Sequence, residues 1–261
     1  MSMKFEVNSS GLATITLNRP EHYNALDLAS MERLQEITQA VADNPQVRVL
    51  VIQGEGPAFS GGGDIGYFAS RGADTRRMLN EIGRALNPVI VNLRRMDAAV
   101  VMSVHGSVAG GSVGLMLAGD MVVAASGTKF NLGYARMGGS PDAGVSWFLT
   151  RFAGHLAAFE LLALSETFDA ERACRLGLVN HVVAPEERAA FTADLAERLL
   201  AAPAISVRNM KRLVTLAHEN DLAPHLEAEI EAYAHATESA DFREGVAAFL
   251  EKRRPVFNRR S

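Results

Sequence analysis

Two glycine-rich segments carry the residues best placed for chemistry: Ala58-Phe59-Ser60-Gly61-Gly62-Gly63-Asp64, and Gly106-Ser107-Val108-Ala109-Gly110-Gly111-Ser112-Val113-Gly114. Each follows a short apolar run and precedes a stretch of helical character. Glycine lets main chain approach a ligand closely, and a helix start presents N–H groups that have no partner within the helix. Both properties suit an oxygen that gains negative charge. Two such turns predict two backbone donors meeting at one oxygen, as in an oxyanion hole. Neither segment spells the Gly-x-Gly-x-x-Gly of a dinucleotide site or the Gly-Lys-Ser/Thr ending of a phosphate loop.

The turns need strands that end at them. Residues 4–8 and 12–18 gather apolar side chains on either side of Ser9-Ser10-Gly11, the pattern of a β-hairpin that Arg19-Pro20 stops. Residues 27–43 read as an amphipathic helix with Leu28, Met31, Leu34, Ile37, Ala40 and Val41 on one face. A buried strand over 47–53 leads into the first turn, a long helix spans 74–95, and a second buried strand over 98–104 ends at the second turn. Residues 113–118 continue as helix, 121–125 form a further strand, and 145–151 and 155–164 give two more helices. From Pro185 onward the strand pattern vanishes, and helices are expected over 187–201, 204–219, 222–237 and 241–252. The chain therefore reads as an α/β core over residues 1–200 followed by a helical region over 201–261.

Composition removes several function classes. Of 261 residues, 48% are apolar types and 21% charged, which predicts a globular chain with a substantial core. A net charge of −4 gives no general field for nucleic acid or an anionic membrane. Basic residues do gather at Lys252, Arg253, Arg254, Arg259 and Arg260, either as a solvated helix end or as contacts to the phosphates of a small anion. Cys174 is the single cysteine, so no intrachain disulfide forms, and a reducing, cytoplasmic setting is expected. No run of about 20 apolar residues predicts a membrane span. The seven histidines lack ligand spacing, and no metal is implied.

Several ordered motifs resemble the crotonase superfamily, also called the enoyl-CoA hydratase/isomerase family, over about residues 17–254. They are Leu17-Asn18-Arg19-Pro20 with Asn24-Ala25-Leu26, the two glycine turns with His105 leading the second, Leu176-Gly177-Leu178-Val179, and Phe249-Leu250-Glu251-Lys252-Arg253. The resemblance implies a β-β-α spiral core, a helical C-terminal trimerisation region, and a homotrimer or dimer of trimers. It also implies an acyl-CoA substrate and no permanently bound cofactor, coenzyme A being part of the substrate. Gly63 and Gly111 match the backbone donors to the thioester oxygen. Asn24, Ala25, Leu26, Gly61, Gly62, Asp64, Ile65 and Gly110 match the segments that hold the coenzyme, and Asp64 also suits the cap of the helix it precedes. Arg19 joins the basic cluster as a candidate phosphate contact.

The chain departs from the hydratase pattern. Hydration in this family is associated with two glutamates, and the matching positions here are Gly114 and Tyr134. Neither glycine nor an ordinary phenol is a general base at neutral pH. A carboxylate stands instead at Asp142, in Gly138-Gly139-Ser140-Pro141-Asp142-Ala143-Gly144. That placement resembles members that isomerise an enoyl-CoA double bond or a ring-derived CoA thioester, and also the aspartate nucleophile of aryl-CoA dehalogenases. Against the latter, residues 65–84 hold no histidine, and Tyr134 stands where dehalogenases have tryptophan. Isomerisation through Asp142 is the expected activity. Hydratase or other lyase chemistry through Glu55, Asp64 or Glu81, and a non-catalytic acyl-CoA scaffold, are the alternatives. Asp142 also suits a helix N-cap. Tyr134 either faces the acyl pocket or packs with its hydroxyl exposed. Met78, Met96, Met102, Met116 and Met137 either line that pocket or fill the core. Trp147, Phe148 and Phe152 fit the apolar side of a helix.

Overall fold

The computed structural model describes residues 2–69 and 72–258. The expected hairpin forms from β1 (Met3–Val7) and β2 (Leu12–Leu17), antiparallel with Met3 opposite Leu17. From β2 the sheet continues in parallel through β3 (Val49–Gly54), β4 (Ala99–Val104), β6 (Met121–Ala125) and β9 (His181–Val183). A second, small sheet joins β5 (Ser107–Ala109), β7 (Lys129–Asn131) and β8 (Phe168–Asp169). These strands of two or three residues are too short to show an alternating pattern, which is why β5 hid inside the second glycine segment.

Side-chain alternation divides β3 between two layers. Leu50 and Ile52 enter the main core, whereas Val49 and Val51 meet Leu195 and Ala196 of α7 (Arg188–Ala201) on the opposite face. The main core is closed by α1 (Leu28–Ala42) and α3 (Thr75–Arg95), whose buried residues Met31, Leu34, Ile37 and Val41, and Met78, Ile82, Leu86, Val89 and Leu93, recur at helical spacing. Asp27 caps α1 by accepting from Ser30 N–H at 2.8 Å.

The short helix α2 (Ile65–Ala69) starts directly after the first glycine turn, and α4 (Gly111–Leu117) starts within the second. The expected helices over 145–151 and 155–164 are one element, α5 (Val145–Leu164), interrupted at Gly154, where φ of 80° departs from helix. After α6 (Ala170–Arg175) and α7, three helices complete the described chain: α8 (Ala204–Leu216), α9 (Leu222–Thr237) and α10 (Ala240–Leu250). Among the described residues no helix is long and apolar enough to cross a membrane.

Candidate active site

The first glycine turn leaves the carboxyl end of β3 and the second leaves that of β4, the end at which open α/β sheets present their ligands. A parallel bridge between Ser60 and Val108 joins the turns directly. Its bonds are Ser60 N–H to Ser107 O at 3.1 Å and Ala109 N–H to Ser60 O at 3.0 Å. Buried Ser112 reinforces it, its hydroxyl lying 2.7 Å from Ala109 O and 3.0 Å from Ser60 O. Gly62 is obligatory here: at φ of 89°, a Cβ would come within 2.5 Å of Ala109 O.

Most amides of the turns are engaged. Gly61 N–H donates to Tyr23 O, Gly62 N–H to the Ser60 hydroxyl, Asp64 N–H to Leu26 O, and Gly110 N–H to Asn131 O. Gly63 pairs with Leu26 in a parallel bridge formed by the amides of Leu26 and Asp64, so its own N–H points to the other side. Gly111 opens α4, where the first amides have no helical acceptor. Among the described residues, neither the Gly63 nor the Gly111 N–H has an acceptor.

Asp142 lies beside the second turn. Its Oδ1 sits 3.0 Å from where a Gly111 Cβ would stand and accepts the Tyr134 hydroxyl at 2.7 Å. The N-cap expectation for Asp142 is corrected: α5 begins after Gly144, no side chain caps it, and Asp142 joins the helix start only through its backbone carbonyl, which accepts Val145 N–H. A run of left-handed residues, Ala143 at φ of 49° and Gly144 at 74°, delays the helix and lifts the carboxylate clear of its amides. Tyr134 is half-buried: its ring packs against the main core while its hydroxyl is engaged by Asp142. Burial and the adjacent Asp142 carboxylate raise its phenol above the ordinary value, so it stays protonated.

Gly114 explains the missing first glutamate position. A Cβ there would meet Ala143 O at 2.2 Å and the Ala143 Cβ at 3.0 Å. The chain carrying Asp142 therefore fills the space in which a side chain from α4 would project.

A sequence model of the enoyl-CoA hydratase/isomerase family matches residues 7–260. The chain belongs to that family. It is 34% identical to 1,2-epoxyphenylacetyl-CoA isomerase of Escherichia coli K12 over 95% of each chain. It is 32% identical to crotonyl-CoA hydratase of Syntrophomonas wolfei over 94% of each. The crystal structure of an enoyl-CoA hydratase from Polaromonas sp. JS666 superposes with a TM-score of 0.92 at 32% identity, covering 98% of this chain and 99% of that one. The architecture is thus the crotonase fold, and the family acts on CoA thioesters, with hydratases and isomerases both among the relatives.

Within that family frame, the Asn24-Ala25-Leu26 segment holds the first turn in place. Asn24, at φ of 53° and 1% exposed, donates its amide to Glu55 O and Ala58 O, and its backbone oxygen accepts the Ser60 hydroxyl. All three backbone N–H groups of 24–26 are donated within the protein, so a ligand meets only carbonyl oxygens and side-chain surface there. Asp64 caps α2 through Tyr67 N–H at 3.1 Å. Ile65 beside it is exposed. Arg19 is not available to phosphate as expected: it bridges Asp27 at 3.0 Å and Asp64 at 3.3 Å and donates to Ala25 O. Arg253 is held by Glu244 and Glu251, while Arg259 and Arg260 lie outside the described residues.

The other carboxylates considered are engaged elsewhere, Glu55 with Lys4 and Glu81 with Arg77. Met78, Met96, Met102 and Met116 are core residues, whereas Met137 is 61% exposed. Trp147 and Phe148 meet edge to face at 4.9 Å, and with Phe152 they pack on the core as expected. Sequence reading missed the braces Ser60 and Ser112 and the link from Tyr134 to Asp142. The serines were visible inside both glycine motifs, but only the bridge between the turns gives them a role.

Proposed function

We propose that this protein isomerises the double bond of an enoyl-CoA, using Asp142 as the single proton carrier. One observation carries the reading: an Asp142 carboxylate beside the unengaged Gly111 amide, on a loop that closes off the hydratase glutamate position at Gly114. Asp142 removes a proton from C2 of a 3-enoyl thioester, and the electron pair delocalises onto the thioester oxygen as a dienolate. The N–H groups of Gly63 and Gly111 form an oxyanion hole for that oxygen, favouring the charged intermediate over the neutral ground state. Return of the proton from Asp142 to C4 moves the double bond to C2–C3 and regenerates the carboxylate.

Hydration would need a second group to hold and deprotonate water, and Gly114 and Tyr134 supply none. The pantetheine and adenine of the substrate run past Ala25, Leu26 and Ile65, with no permanently bound cofactor and no metal. Exposed apolar side chains on α5 and the last helices, including Leu156 at 84%, Phe159 at 67% and Ile230 at 70%, support a homotrimer or dimer of trimers. A cytoplasmic setting goes with this soluble substrate.

The test is incubation with trans-3-hexenoyl-CoA and trans-2-hexenoyl-CoA, following double-bond migration and water addition for wild type and Asp142→Asn. Migration that falls by about 10² to 10⁴ in the variant supports the assignment. Hydration unaffected by the substitution defeats it, and thioester binding without any turnover makes the protein a scaffold.

A further inference from the structure

We infer that Tyr134 is the positioning residue of this proton transfer: its phenol holds Oδ1 of Asp142, leaving Oδ2 as the oxygen that takes and returns the proton. The inference rests on the isomerase reading above.

Tyr134 controls both ends of the loop that bears Asp142. Its carbonyl accepts Gly139 N–H at 2.9 Å and Met137 N–H at 3.1 Å, and its hydroxyl reaches Asp142 Oδ1 at 2.7 Å. The next residue is anchored too, Ala135 N–H donating to the Ser165 hydroxyl at 3.2 Å. Gly138, at φ of 67°, turns the chain between these points. A short O–H to carboxylate bond is among the stronger neutral-to-charged hydrogen bonds, and it selects one carboxylate rotamer. Oδ1 is then confined between the phenol and Gly111. Oδ2 has no hydrogen-bond partner among the described residues, so its lone pairs stay available. A phenol that stays protonated keeps donating to Oδ1 and does not compete for the substrate proton.

The loop thus prealigns its base before substrate arrives. Prealignment acts on the chemical step more than on binding, because the thioester is held by the glycine turns and not by Tyr134. A tyrosine that served only to pack the loop would show its loss in melting temperature instead.

The experiment compares Tyr134→Phe, which keeps the ring and removes the hydroxyl, with Asp142→Asn and wild type on trans-3-hexenoyl-CoA deuterated at C2. For Tyr134→Phe we expect kcat to fall about 10- to 100-fold with KM within about twofold, the melting temperature unchanged, and less deuterium carried from C2 to C4 because a freely turning carboxylate exchanges with water. Wild-type kcat in Tyr134→Phe alongside an inactive Asp142→Asn overturns the role of Tyr134 and leaves the isomerase reading standing. A loss of cooperative melting, or a rise in KM that accounts for the lost kcat/KM, also overturns it by making Tyr134 structural or substrate-binding. An inactive wild type, or an active Asp142→Asn, overturns the isomerase reading itself.

Discussion

The two ends of the main sheet treat their polar groups in opposite ways. At the amino ends of β4 and β6, Lys211 of α8 is 6% exposed at its side chain and is bound on every side, to Asp120 Oδ2, Leu93 O and Ala98 O, each at 2.8 Å. Asp120 in turn accepts Val100 N–H at 2.8 Å. A cavity of about 360 Å³ opens beside them, lined also by Val100, Phe152 and His218, but its buried charges face each other. At the carboxyl ends of β3 and β4 the Gly63 and Gly111 amides and Asp142 Oδ2 lack partners among the described residues. A cavity alone does not mark chemistry. Polar groups held rigidly without partners do, because only they can gain an interaction as charge develops.

Breaking the amino end should cost stability and spare activity. Lys211→Ala removes the charged donor shared by Asp120 and two carbonyls, and the Val100 N–H that stays on the partly exposed Asp120 softens the loss to roughly 2 to 3 kcal/mol. Chemical denaturation should report that loss while kcat stays at the wild-type level; a parallel fall in kcat would show that the two ends are coupled. The carboxyl end should respond in the reverse sense to Gly114→Ala, whose new methyl would lie against Ala143 O. Displacing Ala143 moves Asp142, and a shift of about 1 Å in a catalytic group costs on the order of 10² in rate. The accompanying destabilisation is smaller, about 1 to 2 kcal/mol. Full isomerase activity in Gly114→Ala would mean that the loop position is not critical.

A smaller effect separates the ends by pH. His105 leads the second turn, with Nε2 2.8 Å from Gly56 O, and burial lowers its imidazole below the ordinary 6.5. The folded protein therefore holds His105 neutral where the unfolded chain has already taken a proton, so stability falls as the pH drops through that window. His105→Gln should flatten the melting-temperature slope below about pH 6.5. An unchanged slope would assign it to other groups.

What could be read in advance follows interaction range. The glycine turns and the long amphipathic helices declare themselves within a few residues, because turn chemistry and periodicity are local, whereas Asp142 stands out only through the family resemblance. The site's geometry depends on contacts that no local pattern encodes. Gly114 meets Ala143 across the gap between α4 and the loop before α5, and Arg19 meets Asp64 across 45 positions. Tyr134 and Asp142 are only eight residues apart, yet their meeting depends on left-handed backbone at Gly138 and Ala143. Alanine rarely adopts that conformation, so its sequence gave no cue. Arg19 misled for a related reason: an arginine near a phosphate-binding motif and one clamping two aspartates look alike until the aspartates are placed.

The most direct measurement is a crystal structure with a stable thioether or ketone analogue of 3-hexenoyl-CoA that retains the full coenzyme. With the ketone, the account predicts its oxygen about 3 Å from both the Gly63 and Gly111 nitrogens, with Asp142 Oδ2 facing C2 and C4 from one side of the chain. A carbonyl oxygen bound away from those amides, or a water held between Asp142 and C3, would contradict it.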